Sequence, residues 1–521
     1  MNIQDIFAHL PQRFRSEKAK NYSGTFHFKF DETAKSYFTV QIQNEICSSK
    51  IGLFGKADCV ITTSSKVYVA IELGHLNAQQ AFMTGKIQVS NIMAMLAFSK
   101  MFRKLSASEL PTDSSQKQQV SQESRKPLAG PLKDICVIDF SRLLPAPLAT
   151  MLLADMGAEI IKIEHPESPD DIRNYPPFIN QQSAYYLAIN RSKRSLCLDL
   201  RQTSGKEICL ELLKKADVLV ESFRPGVMKK LGLDYASISK INPQIIYISL
   251  TGYGQSGPYA QEAGHDLNYI GRAGILHATG QKNSQPVIPS VQIADIAGGS
   301  YSTLSACLLA LYQRERTGKG SYIDLSMLDA SLPFMSLQYA EFQATGKTAK
   351  RGENVLSGAL PNYNVYECND GKFVALGALE PKFWKRFCEK VNRLDWVNMA
   401  LGNAQNLEAI KNELTLLFRS KTQTEWLLLM ENEDICLTAI HDLAAVSKDK
   451  HLTARNMFVE HEHLAYGNIK SIGNPIKIEG EAQNIGWAAP LLGEDTAAIL
   501  KELGYTENKI AILKQDGVIN G

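Results

Sequence analysis

The chain has 521 residues, too many for one hydrophobic core, so two to four domains are expected. With 44% hydrophobic and 21% charged residues it reads as a soluble globular protein, and a net charge of +2 supplies no global field for nucleic acid or a membrane surface. The 9 cysteines are scattered, with no CxxC pair and no Cys/His cluster at zinc spacing, so no metal site is expected.

Cys136, Cys197, Cys307 and Cys436 lie in apolar runs, which suits free thiols in a reducing compartment. No window approaches the ~18 apolar residues of a membrane span. Met1–Arg15 lacks the pattern of a secretory signal, and Gly517–Gly521 is not a Ser-Lys-Leu-type address. A cytoplasmic enzyme is the expectation.

Residues 1–105 form the first predicted module. It opens on an amphipathic helix (Ile3, Ile6, Phe7, Leu10, Phe14) and continues with alternating strands at Thr25–Phe30 and Tyr37–Ile42. Further strands are predicted at Ala57–Thr62 and Lys66–Glu72, then at Lys86–Val89. A Met-rich helix, Ile92–Phe98, closes the module. His27 reads as structural. Residues 106–127 are rich in Ser, Gln and charge and predict a flexible tether.

The large module, 128–521, starts with a buried strand, Leu132–Phe140. A turn at Leu144–Pro147, a helix over Leu148–Met156 and a strand at Glu159–Glu164 complete a βαβ unit. A second unit follows: strand Ser195–Leu200, helix Thr203–Ala216, strand Asp217–Glu221. Ile245–Thr251 is one more strand. No G-x-G-x-x-G opens these units, which argues against a dinucleotide site. A smaller lobe is expected over about 352–467.

Two short strings carry the chemistry. Gly264-His265-Asp266-Leu267-Asn268-Tyr269 presents an imidazole between small and polar neighbours. Ala294-Asp295-Ile296-Ala297-Gly298-Gly299 presents a carboxylate before glycines. A base and an acid on opposite sides of one carbon suit removal and return of a proton.

The order of strings in the large module resembles the class III CoA-transferase family, in its alpha-methylacyl-CoA racemase branch. The strings are Leu152–Ala158, Asn190–Leu196, Ser222–Met228, Leu250–Pro258, Gly264–Tyr269, Arg316–Gly320 and Gly377–Pro381. The first module resembles the sterol carrier protein type 2 lipid-binding domain in its helix, its strands, its "Gly-Lys-Ile-x-Val" string and its final apolar helix.

The resemblance implies an α/β fold with a Rossmann-like large lobe and a smaller α/β lobe, in an interlocked homodimer, preceded by a small α+β lipid-binding domain. It implies an acyl-CoA thioester as ligand, with a lipid or sterol-like ligand for residues 1–105 and no separate cofactor. For CoA it points to His165, to Leu198, Asp199, Leu200 and Arg201, to Arg224, and to Gly264, Asp266, Leu267, Asn268 and Tyr269. His165 and Lys230 stand where relatives often have Arg. Either can carry a positive charge, without the bidentate fork. Arg191, Lys193 and Arg194 read either as phosphate contacts or as a solvated loop.

Implied catalysis rests on His265, Asp295 and Glu380. A proton alpha to a thioester leaves to form an enolate. His265 acts on one face and Asp295 on the other, with burial expected to raise the Asp295 pKa. Glu380, on the small lobe, would orient His265, and the Asp266 N–H would face the enolate oxygen. Singly, each residue has an ordinary reading: His265 in a turn, Asp295 as a helix cap, Glu380 solvating a loop. The implied activity is interconversion of (2R)- and (2S)-2-methylacyl-CoA. One alternative is CoA transfer between carboxylic acids with Asp295 as nucleophile. Another is lipid or acyl-CoA carriage by residues 1–105.

Overall fold

A computed structural model describes residues 3, 6–7, 10–19, 22–30, 37–72, 81–82, 85–102, 128–348, 350–398, 404–479 and 486–520. The chain divides into two compact units, Met1–Glu123 and Ser124–Gly521. The tether expected over 106–127 lies outside the described residues.

The first unit holds a five-stranded sheet in the order Ile46–Ile51, Tyr37–Gln43, Gly24–Phe30, Cys59–Thr63, Ile87–Val89. Ile6, Phe7, Leu10, Phe28, Phe38, Tyr68 and Phe98 are buried together, with the Phe7 ring stacked on Phe38 at 4.2 Å. His27 is buried, with Nε2 3.0 Å from the Phe54 carbonyl, a structural contact. The strand expected at Lys66–Glu72 is instead a helix, Ser65–Glu72. Cys59–Thr63 runs parallel to Gly24–Phe30, so the chain must turn away after Thr63. The Ser64 hydroxyl accepts the Val67 N–H at 3.3 Å, and helical spacing carries Tyr68 into the core. The Met-rich stretch is helix Ile92–Lys100, capped by the Asn91 side chain. Met101 is buried, whereas Met93 is 76% exposed.

The second unit is built on a seven-stranded sheet. Its order is Ser321–Ser326, Ile246–Thr251, Val218–Glu221, Cys136–Asp139, Glu159–Glu164, Lys193–Leu198, Ile519–Asn520. All neighbours pair parallel except the last strand. In chain order the six parallel strands lie 3-2-1-4-5-6, the doubly wound arrangement. Its switch point falls between Cys136–Asp139 and Val218–Glu221, where ligands bind beyond the strands' carboxyl ends.

The helix expected at Leu148 starts earlier, at Pro145. Pro145 and Pro147 occupy its first turn, where a missing N–H costs nothing. The first strand is shorter than expected, Cys136–Asp139, because Leu132–Ile135 forms a turn against Met156.

A separate core forms around Trp384, Trp396, Phe418 and Trp426, under the antiparallel strands Tyr363–Glu367, Phe373–Gly377 and Leu437–Ala439. The chain then returns through the hairpin Phe458–His463/Gly467–Ile472. Its Tyr466 and Ile469 pack with Ile172 and Tyr186 of the large lobe.

Candidate active site

Two places at the carboxyl edge of the large sheet gather functional side chains. The first lies after strand Ile246–Thr251. Helix Asp266–Arg272 begins at His265, whose backbone N–H donates to Asn268 Oδ1 at 3.0 Å. This bond fixes the backbone on either side of an exposed imidazole.

Tyr269 is buried behind it. Its hydroxyl donates to the Gly264 carbonyl at 2.5 Å, and its ring meets Tyr253 edge-on at 5.1 Å. A Cβ on Gly264 would lie 2.7 Å from the Tyr269 ring and 2.9 Å from the Tyr253 hydroxyl, so only glycine admits this packing. Gly264→Ala should cost about 1–3 kcal/mol by overpacking. It should also displace His265, with turnover falling at least about tenfold; denaturation and kinetics on one preparation read both effects.

Asp295 lies in a π-helical segment, Ala294–Tyr301, that runs into the α-helix Ser302–Thr317. Wide turns of this kind recur at functional sites. The segment is tightly held: a Cβ on Gly298 would sit 2.8 Å from Ser331 Oγ, and one on Gly299 2.8 Å from Pro145 Cβ. Asp295 is therefore inside the helix rather than capping its start.

Its backbone N–H donates to Asp266 Oδ1 at 3.0 Å. That single bond joins the two motifs, since Asp266 is the neighbour of His265. Burial, then the Asp266 charge, raise the Asp295 carboxyl to about 6.

Glu380 is exposed and begins helix Pro381–Lys390 on the smaller lobe. Its carbonyl accepts from Phe383 and Trp384. Among the described residues, no hydrogen bond or ion pair joins its side chain to His265. Within one chain the structure links His265, Asp266 and Asp295 and leaves Glu380 apart from them.

The second place is a cleft of about 140 Å³ at the switch point. His165, Leu198, Leu200 and Arg201 line it, as do Phe140, Arg142, Phe223, Val227 and Leu231. His165 Nδ1 accepts the N–H groups of Glu167 at 3.0 Å and Ser168 at 3.2 Å. The ring proton therefore sits on Nε2, which faces Asp199 Oδ1 at 3.3 Å without hydrogen-bond alignment.

Arg201 reaches the same carboxylate at 2.9 Å, and its hydrogen bonds hold Asp199 well below the usual carboxylate range. Asp199 is thus a holder of His165 and Arg201, with Arg201 itself 64% exposed. Arg224 and Lys230 are exposed beside this cleft's loop and helix. The Arg224 charge reaches Tyr269. Leu267 and Asn268 are exposed on the His265 helix.

Arg142 and Phe223 escaped the sequence reading. Their signal is position, three and two residues beyond the ends of buried strands. A further apolar hollow of about 370 Å³ flanks Asp295 through Ile293 and Ala297 and is also lined by Ile275, Phe334 and Met335.

Arg191, Lys193 and Arg194 are neither phosphate contacts nor a solvated loop. Each is buried in an ion pair: Arg191 with Asp155 at 2.7 Å, Lys193 with Asp139 at 3.1 Å, and Arg194 with Glu159 at 2.6 Å and Glu502 at 2.8 Å. The carboxylates come from distant segments, so no local pattern announces them.

The doubly wound sheet with its switch-point cleft defines an α/β ligand-binding enzyme architecture. Residues 132–496 match the model of CoA-transferase family III, and residues 4–103 match that of the SCP-2 sterol transfer family. The chain belongs to CoA-transferase family III and carries an N-terminal SCP-2-type domain.

It is 34% identical over 404 residues to the succinyl-CoA:glutarate CoA-transferase of Mus musculus, covering 76% of this chain and 91% of that protein. It is 32% identical over 391 residues to the alpha-methylacyl-CoA racemase of Homo sapiens, covering 74% and 97%. Among solved structures, a CAIB/BAIF family protein from Brucella suis superposes with a TM-score of 0.64 at 32% identity. The superposition covers 72% of this chain and 99% of that one.

Proposed function

We propose that the protein interconverts the two configurations of a 2-methylacyl-CoA by proton removal and return at the alpha carbon. The observation that carries this reading is the His265–Asp266–Asp295 junction. It ties the segment that carries the imidazole to the segment that carries a carboxyl raised to about 6.

One of the two takes the alpha proton, and the C–H electron pair moves into the thioester as an enolate. The other then delivers a proton to the opposite face. The roles exchange for the reverse reaction. The Asp266 N–H, at the open start of its helix, is a donor for the enolate oxygen. The switch-point cleft receives the nucleotide end of CoA, with Arg201 and Arg142 as cations. The apolar hollow beside Asp295 receives the acyl chain. Glu380 reaches His265 from a second copy of the chain. Residues 1–105 hold a lipid or acyl ligand of their own.

A second reading, CoA transfer between carboxylic acids, finds support in the equal similarity to a CoA-transferase. There the Asp295 oxygen attacks the thioester carbonyl and CoA leaves as thiolate. One assay separates the two. In D2O, with no acceptor acid, a racemase incorporates deuterium at C2 of (2S)-2-methylacyl-CoA. Incorporation that begins only on adding an acceptor, or CoA exchange without any incorporation, favours the transferase.

A further inference from the structure

Strand Val218–Glu221 ends on a carboxylate that the chemistry above leaves unused. Glu221 is 3% exposed. Its Oε2 accepts the Phe223 N–H at 2.8 Å, which draws residues 222–226 back onto the sheet edge. Phe223 forms part of the cleft wall, and Arg224 acts on Tyr269, behind His265. One short segment therefore touches both halves of the site.

Parallel pairing sets Glu221 beside Ser249 and Ser249 beside Asp324, so the three side chains form a row on one face of the sheet. Asp324 serves the next loop in the same way, accepting the Gln255 N–H at 3.0 Å. The groups facing Glu221 are Tyr247 and Ser249 from one strand and Tyr322 and Asp324 from the next. Asp324 is the charged one among them. The helices over this face offer Met228, Tyr235 and Ile238, while Lys229 and Lys230 point to solvent. Two other tethers hold the segment: Arg142 N–H to Ser222 Oγ at 3.1 Å, and Gln261 Nε2 to the Pro225 carbonyl at 3.3 Å. Neither titrates near neutrality.

We propose that Glu221 is a positioning residue for CoA binding, its ionised carboxylate holding residues 222–226 in the binding shape and its protonation loosening them. Burial, then the charge of Asp324, push its carboxyl up to about 7, so the change falls within the working range. Above that pH the anion is the stronger acceptor for the Phe223 N–H, and below it the neutral acid is the weaker one. The inference rests on reading the switch-point cleft as the CoA site. It does not depend on which reaction follows.

The test is calorimetric titration of the full-length protein with free CoA at pH 6 and pH 8. Glu221→Gln keeps an oxygen acceptor and removes the charge. It should bind CoA like the wild type at pH 6 and about fivefold more weakly at pH 8. Comparison at each pH cancels the titration of CoA itself. A second variant, Asp324→Asn, keeps an acceptor for Gln255 and removes the neighbouring charge. It should move the midpoint of the wild-type pH dependence downward. Equal affinities of wild type and Glu221→Gln at both pH values overturn the assignment, as does a gap confined to pH 6. Wild type that fails to bind CoA at all overturns the reading of the cleft, and with it the role of Glu221. Wild type that binds with the expected pH dependence but exchanges no deuterium keeps Glu221 and rejects the racemase.

Discussion

His265→Ala and Asp295→Ala should each lower epimerisation about 10²–10⁴-fold, in both directions, while CoA still binds. Each turnover needs a base on one face and an acid on the other, so neither residue alone sustains net inversion. Single-direction isotope exchange sharpens the test. A variant lacking one partner exchanges its remaining face at a measurable rate while its inversion falls by that factor. Full two-way activity in either variant removes the assignment.

The Asp295 substitution should carry a second signature. Its carboxyl is raised from 3.8 to about 6 in the folded protein, so the native state binds the extra proton. Stability from this group is fully present below the unfolded pKa and is lost as pH rises through about 6. Asp295→Asn should therefore be more stable than the wild type at pH 8, by up to ~3 kcal/mol, and about equal to it at pH 4. Urea midpoints at the two pH values check the sign.

Asp139→Ala should destabilise the protein by about 3–5 kcal/mol without touching the reacting atoms. Asp139 is fully buried at the end of the first strand of the large sheet. It accepts from the Ser141 N–H at 2.9 Å, Thr150 Oγ1 at 2.6 Å and Lys193 Nζ at 3.1 Å. Burial works against its ionisation, but Lys193 and Lys162 together hold it below the usual carboxylate range. Without it, Lys193 keeps only the neutral acceptors Asn190 Oδ1 and the Pro147 carbonyl, both at 2.8 Å. The double variant Asp139→Ala with Lys193→Met should recover most of the loss, because the uncompensated charge is then gone. A single-variant cost under about 1 kcal/mol contradicts this account.

Elements whose periodicity is local were legible in the sequence. Strand Glu159–Glu164 spans the residues expected of it, and helix Thr203–Leu213 begins where expected. Lys66–Glu72 misled because Val, Tyr and Ile favour strands, while its helix is dictated by where the preceding parallel strand ends.

The chemistry-bearing strings around His265 and Asp295 were visible as strings. Their connection through Asp266 was not, because a hydrogen bond across 29 residues leaves no trace in spacing. The same blindness applied to Arg191, Lys193 and Arg194. A run of cations looks solvated until its carboxylates are found, three of them 35 to 54 residues away and Glu502 308 residues away.

The π-helical segment ahead of Ser302 has a consequence of its own. Its extra residue per turn is a matter of chain length, independent of which side chains occupy it. Removing one residue between Asp295 and Ser302 would restore ordinary winding and swing the carboxyl around the helix axis by roughly 100°. The aim of the acid is thus encoded by counting rather than by chemistry. A deletion there should silence the enzyme more thoroughly than most conservative replacements of its neighbours.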